Sequence, residues 1–259
     1  MRFGFGKVTP KKGEKVSNIE EYDMKKFPHG VALIINNETF ERHNQRTGTA
    51  VDERHLIHAF RYLGYNVEVH REVDSKGMLH IMSEMGRRNH QEYDSFVCCI
   101  LSHGTEGHVC GTDSKKVSLD TLTQKMDAQR CPTLRDKPKL FFLQACRGKL
   151  REAAVPITVD SANETVPSHD EIPQTLDFFF SHATPLGHVA WRDLEHGSWY
   201  IAELCRTLCE MYLYASLNDI MTKVCARVAC GDKYRTLGFR MTPEITSRLQ
   251  GNVFFSIPP

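Results

Sequence analysis

The chain has 259 residues, of which 41% are hydrophobic and 25% charged, with a formal net charge of +1. That profile belongs to an ordinary globular protein of one large domain or two small ones, and its near-neutral charge gives no bulk attraction to nucleic acid or to a membrane. No apolar run is long enough to cross a bilayer, no signal-peptide core lies near the N-terminus, and nine cysteines without CxxC pairs argue against a disulfide framework or a zinc site. Several of them sit in apolar segments, as buried thiols do in a reducing cytosol. A cytoplasmic location and no metal or cofactor are therefore expected.

Residues 1–27 form a short basic N-terminal segment, with Arg2, Lys7, Lys11, Lys12 and Lys15 against Glu14. It reads as a solvated terminus. Residues 31–36, Val-Ala-Leu-Ile-Ile-Asn, read as a buried strand. A helix is predicted over 51–63, with Leu56, Ile57, Phe60 and Leu63 on one face and Gly64 ending it. A short strand over 66–70 and a helix over 75–88 follow, the helix capped by Ser75. Residues 95–101 are a strongly apolar strand running into Ser102-His103-Gly104. A short helix over 118–126, capped by Ser118, precedes a strand over 139–144.

Residues 149–175 change character, with Pro156, Pro167 and Pro173, scattered acids and no periodicity. Such a long loop in a compact chain is functional or disordered. Beyond it come a strand over 176–181, helices over 199–213 and 218–229, and an apolar final strand over 252–256. Alternating strands and helices with near-continuous apolar strands predict an α/β fold. Its mostly parallel central sheet carries helices on both faces.

The strand over 139–144 ends in Gln144-Ala145-Cys146-Arg147-Gly148, which presents a thiol at the carboxyl edge of the sheet, where open α/β sheets carry their sites. A thiolate rather than a thiol attacks a carbonyl, so Cys146 needs a base. His103 stands at the end of the preceding sheet strand and supplies one. Gly104 lets a backbone N–H approach a substrate oxygen, and with the Cys146 N–H could form an oxyanion hole worth about 3 kcal/mol per donor.

Together with Arg46-Thr47-Gly48-Thr49, Ala190-Trp191-Arg192 and Gly197-Ser198-Trp199-Tyr200, these motifs fall in the order and spacing of one family. The chain resembles a caspase over nearly its whole length, and the resemblance is to executioner-like members with a short N-terminal segment. It implies a caspase–hemoglobinase fold and a cysteine endopeptidase that cleaves after aspartate in programmed cell death. It implies a large subunit over 28–160 carrying His103 and Cys146, a cleavable linker over 161–175 and a small subunit over 176–259.

By that resemblance Arg46, Gln144 and Arg192 hold the substrate aspartate. Two planar guanidiniums and an amide suit a carboxylate that must leave water. Arg147 is expected to brace the loop. Val189, Trp191, Trp199 and Asp193 are expected to shape the neighbouring subsites. Val189 replaces the tyrosine of many executioners and Asp193 the usual asparagine, and the stretch between Gly231 and Pro243 is short. An aliphatic residue is therefore expected at P4. Asp160, followed by Ser161, is the first candidate for self-cleavage of a zymogen, and Asp170 the second.

The expected partners are protein or peptide substrates with P1 aspartate, a second copy in an isologous homodimer and an upstream activating caspase. Neither nucleic acid nor a membrane is expected. The dimer would pair Val253-Phe254-Phe255, read as an exposed edge strand, across a two-fold axis. A catalytically inactive scaffold acting through dimerisation is the alternative, and intact Cys146, His103 and Gly104 argue against it. A relative cutting after a basic residue would need acids where Arg46 and Arg192 sit. A dinucleotide site would need a GxGxxG after the first strand, which is absent.

Overall fold

The computed structural model describes residues 20–150, 176–193, 196–230 and 241–255. A six-stranded sheet is built from β1 (Gly30–Asn36), β2 (Asn66–Arg71), β3 (Ser95–Leu101), β7 (Lys139–Gln144), β9 (Phe178–His182) and β13 (Glu244–Ser247). Its strand order is β13-β9-β7-β3-β1-β2, all parallel except for β13, which runs antiparallel to β9. Every residue of β1, β3 and β7 is buried. A strand covered on both faces needs apolar side chains on both, which is why these three read as continuous runs.

Helices cover the two faces. On one side α1 (Thr49–Tyr62), α4 (Trp199–Met211) and α5 (Leu217–Cys230) pack with Ala32, Ile34, Val97, Cys99, Leu140 and Phe142. On the other, α2 (Ser75–Arg87) and α3 (Leu119–Thr123) cover Leu33, Ile35, Phe96, Cys98, Phe141 and Leu143. The α1 helix ends where Gly64 turns back at φ 81°, a conformation that favours glycine. The cap of α2 differs from the sequence expectation: the Asp74 carboxylate, not Ser75, accepts from the Gly77 N–H at 2.7 Å. Ser75 instead donates its hydroxyl to Asp113. Ser118 occupies the N-cap position of α3, but its side chain makes no cap hydrogen bond. A three-stranded flap of β4 (Gly104–Thr105), β5 (His108–Cys110) and β6 (Lys116–Ser118) joins β3 to α3, and the sequence did not announce it.

The expected C-terminal edge strand is corrected. Residues 252–255 make only an isolated bridge, Glu21 to Asn252. Val253 and Phe255 are buried in the core, Phe255 edge-on to Tyr65, and Leu217 N–H donates to the Val253 carbonyl. β13 has taken the free side of β9, and Val253 and Phe255 join the buried apolar cluster that α5 forms with the sheet. The unpaired edge on this side of the sheet is β13. The processing candidates Asp160 and Asp170 lie outside the described residues.

The end of β9 carries a pH prediction. Burial, and then the nearby Arg147 cation, push His182 from the ordinary 6.5 down to about 4. A histidine depressed in the folded state contributes stability that is complete above pH 6.5. That contribution drains away as pH falls toward 4, because the folded chain must charge a buried ring. The shift amounts to about 3 kcal/mol. Melting temperature should therefore fall between pH 7 and pH 4, and His182→Gln should flatten that slope. Parallel slopes for wild type and variant would refute the assignment.

Candidate active site

Three adjacent parallel strands deliver the site. Leu101 of β3 pairs with Gln144 of β7 and with Asn36 of β1, so the residues after each strand leave the sheet at one level. Ser102 N–H donates to the Gln144 carbonyl, and Asn37 N–H to the Leu101 carbonyl. His103 and Cys146 thus emerge side by side from neighbouring strand ends. Gly104 is wedged between them: a Cβ there would lie 2.9 Å from the Cys146 carbonyl oxygen and 3.0 Å from the Ala145 Cβ. Glycine is what lets the flap approach Cys146 so closely.

Cys146 is half-buried, and its Sγ accepts weakly from the Ala190 N–H at 3.4 Å. His103 places Nε2 2.7 Å from the Asn44 carbonyl. A carbonyl only accepts, so Nε2 carries the proton and Nδ1 is left with a lone pair for the thiol proton. Burial lowers the pKa of His103, and the cations Arg46 and Arg192 and the neighbouring His43 oppose its protonation further. The Asn44 hydrogen bond works the other way.

Arg46, Ser102, His103, Gln144, Ala145, Cys146, Ala190, Trp191 and Arg192 line one cavity of about 210 Å³. Arg46 is buried, with Nη1 donating to the Asn37 carbonyl at 2.9 Å and the Thr49 hydroxyl at 3.0 Å. Its Nη2 and the Gln144 Oε1 are buried with no hydrogen-bond partner among the described residues. Arg192, on β11 (Arg192–Asp193), anchors Nε on the Thr47 carbonyl at 2.8 Å. Burial lowers the pKa of both arginines, and for Arg46 the Arg192 charge adds to it. A buried guanidinium with an unsatisfied donor, repelled by a second, half-buried one, has the chemistry to receive a carboxylate.

Trp199, Val189, Asp193 and Arg147 are not part of that lining. Trp199 is a buried core ring in the first turn of α4, stacked on Trp191 at 6.3 Å. Val189 is half-buried just outside the cavity lining. Asp193 accepts from the His196 N–H at 3.1 Å and lies 3.2 Å from its Nδ1, which ties its charge into the turn to β12 (Gly197–Ser198). Arg147 turns away from the cavity. It pairs with Glu244 of β13 at 2.9 Å and reaches the Thr184 carbonyl, joining the loop after Cys146 to the far edge of the sheet, as a bracing role requires.

Two residues of the site escaped the sequence reading. Asp52 in the first turn of α1 is fully buried and accepts from the Ser198 N–H at 2.6 Å and hydroxyl at 2.5 Å. Its charge supports Arg46 and Arg192 more strongly than that of Glu38, which also acts on both. Its spacing was a usable signal, because Asp52, Leu56, Ala59 and Leu63 recur on the buried face of one helix. The second is His43, whose ring lies 5.1 Å from that of His103.

An α/β sheet with a cysteine and a histidine at adjacent strand ends, opening on an arginine-lined cavity, defines a narrow class of thiol-bearing domains. A caspase domain model matches residues 29–254. Caspase-3 of Bos taurus is 36% identical over 217 residues, covering 83% of this chain and 78% of that protein. Caspase-8 of Rattus norvegicus is 33% identical over 95% of this chain, which spans 54% of that longer relative. Caspase-1 of Drosophila melanogaster is 36% identical over 81% of the chain and 66% of its own length. The chain belongs to the caspase family. Among the described residues no helix is long and apolar enough to cross a membrane.

Proposed function

We propose that this chain is a cysteine endopeptidase that cleaves protein substrates after aspartate, is made as a zymogen and acts in programmed cell death. The observation that carries the specificity is the buried, unsatisfied Arg46 Nη2 beside Arg192 in the cavity lined by Cys146 and His103. The cell-death role rests on the family alone.

In the reaction, the Cys146 thiol proton passes to His103 Nδ1 while sulfur bonds to the scissile carbonyl carbon. The imidazolium then gives that proton to the leaving amine as the C–N bond breaks. Water, deprotonated by His103, frees the acid product and restores the thiol. The N–H groups of Gly104 and Cys146 would face the oxyanion. Maturation would cut after Asp160, dividing a large fragment over 28–160 from a small one over 176–259, with 161–175 as the linker. An upstream caspase would start it, and β13 is the edge that would pair with a second copy.

The test is turnover of a positional library of fluorogenic peptides, run alongside gel analysis of maturation. Cleavage should require aspartate at P1 and favour isoleucine, valine or leucine over aspartate at P4. It should vanish in Cys146→Ala, and Asp160→Ala should not yield the same two fragments. Cleavage after basic residues, or turnover that survives Cys146→Ala, would defeat the proposal.

A further inference from the structure

The loop between β1 and α1 puts two consecutive residues against the base. Asn44 offers its carbonyl to His103 Nε2 at 2.7 Å. His43 offers its ring, with centroids 5.1 Å apart and planes tilted by 56°. Phe40, largely buried, packs edge-on against both, 4.7 Å from His103 and 6.0 Å from His43, and so fixes where the two imidazoles meet. His43 itself is exposed and free to exchange protons with solvent.

We propose that His43 is a positioning residue of the peptidase reaction, whose protonated imidazole opposes protonation of His103 and thereby extends the base's working range to lower pH. The inference rests on the peptidase reading above, but its physical core does not need turnover to be tested.

The electrostatics follow from the groups around the pair. Arg46, at the foot of the loop, and Arg192, on β11, act on His103 as fixed positive charges. Cys146 faces it from the end of β7, and on the loop itself Glu38, Glu41 and Arg42 precede His43. Of the cations acting on His103, His43 is the imidazole, and its charge acts across the 5.1 Å between the two rings. Two unit charges about 5 Å apart, even in water, interact enough to move a midpoint by roughly half a pH unit. A positive charge on His43 therefore holds the half-buried His103 neutral to lower pH. A neutral His103 is the form that can accept the thiol proton.

A charge ladder separates this role from mere packing. His43→Phe keeps a ring and loses the charge, His43→Gln loses both, and His43→Glu reverses the charge. The midpoint of His103 is read by NMR titration of its ring in the Cys146→Ala chain, and the acid limb of kcat/KM is read in the active chain. The Phe and Gln variants should both raise the midpoint by about half a pH unit, and Glu by about one unit, with the acid limb moving the same way. Coincident midpoints in all four chains would overturn the proposal. So would a Phe variant that matches wild type while Gln and Glu shift together, because then the ring and not the charge matters. If wild type turns over no aspartyl peptide at any pH, the peptidase reading fails, and the NMR ladder still decides this one.

Discussion

Arg192→Ala should cut kcat/KM for a P1-aspartate peptide by roughly two to four orders of magnitude while leaving the fold intact. The size follows from what remains: a substrate carboxylate taken from water with one guanidinium missing, a loss of about 3–5 kcal/mol. Arg192 is the cleaner of the two arginines to remove. It is partly open, and its Nε donates to the Thr47 carbonyl. Arg46, by contrast, holds Asn37 and Thr49 together beneath α1, so Arg46→Ala would mix lost binding with lost stability. Arg192→Lys should recover only part of the loss, because an ammonium keeps the charge but not the planar fork. The loss should also be selective. A P1-asparagine peptide brings no charge to pair, so the ratio of aspartate to asparagine cleavage should collapse in Arg192→Ala. An unchanged ratio, with unchanged melting temperature, would remove Arg192 from the pocket.

Much of this site was legible in the sequence because its parts are local. The runs that became β1, β3 and β7 are buried on both faces, so they announce themselves as unbroken apolar segments. The residues after β3 and β7 then fall at one edge by simple parallel register. What was not legible depends on partners distant in the chain. Val253 and Phe255 look like half of an edge strand, yet whether such a run joins a sheet depends on whether β9 still has a free side, and Glu244–Ser247 had taken it. Trp199 sits in a polar, glycine-containing stretch and is nevertheless a core ring, because α4 turns its first residue inward. Lys139 opens an apolar strand and is buried, its ammonium held by the Leu134 and Lys137 carbonyls and lying 3.8 Å from Asp177 across the linker. No local pattern tells a lysine that it will have such neighbours.

Asp52 is the sharpest case, and its removal should have the second large effect. The carboxylate binds the N–H and hydroxyl of Ser198, 146 residues away, and so joins α1 on the nucleophile's side of the linker to β12 on the other. Gly197 makes that contact possible: it turns at φ 78°, and a Cβ there would lie 2.3 Å from the Asp52 Oδ1. Asp52→Ala strands two buried donors and takes from Arg46 and Arg192 the strongest of the negative charges that support them. A loss of about 3–5 kcal/mol is expected, or roughly 6–20 °C in Tm. Asp52→Asn separates the two causes. Burial is the largest influence on the Asp52 carboxyl and raises its pKa. The opposing influences are the Ser198 hydrogen bonds first and the two arginines after them. A carboxyl raised in the folded state costs stability as pH rises through its titration, and the amide escapes that cost while still accepting from the Ser198 N–H. Asp52→Asn should therefore lose less than half of what Asp52→Ala loses, and compare better with wild type at pH 8 than at pH 5. If the two variants melt together, the negative charge beneath the arginines, and not the bond to Ser198, is what holds the two sides of the linker in place.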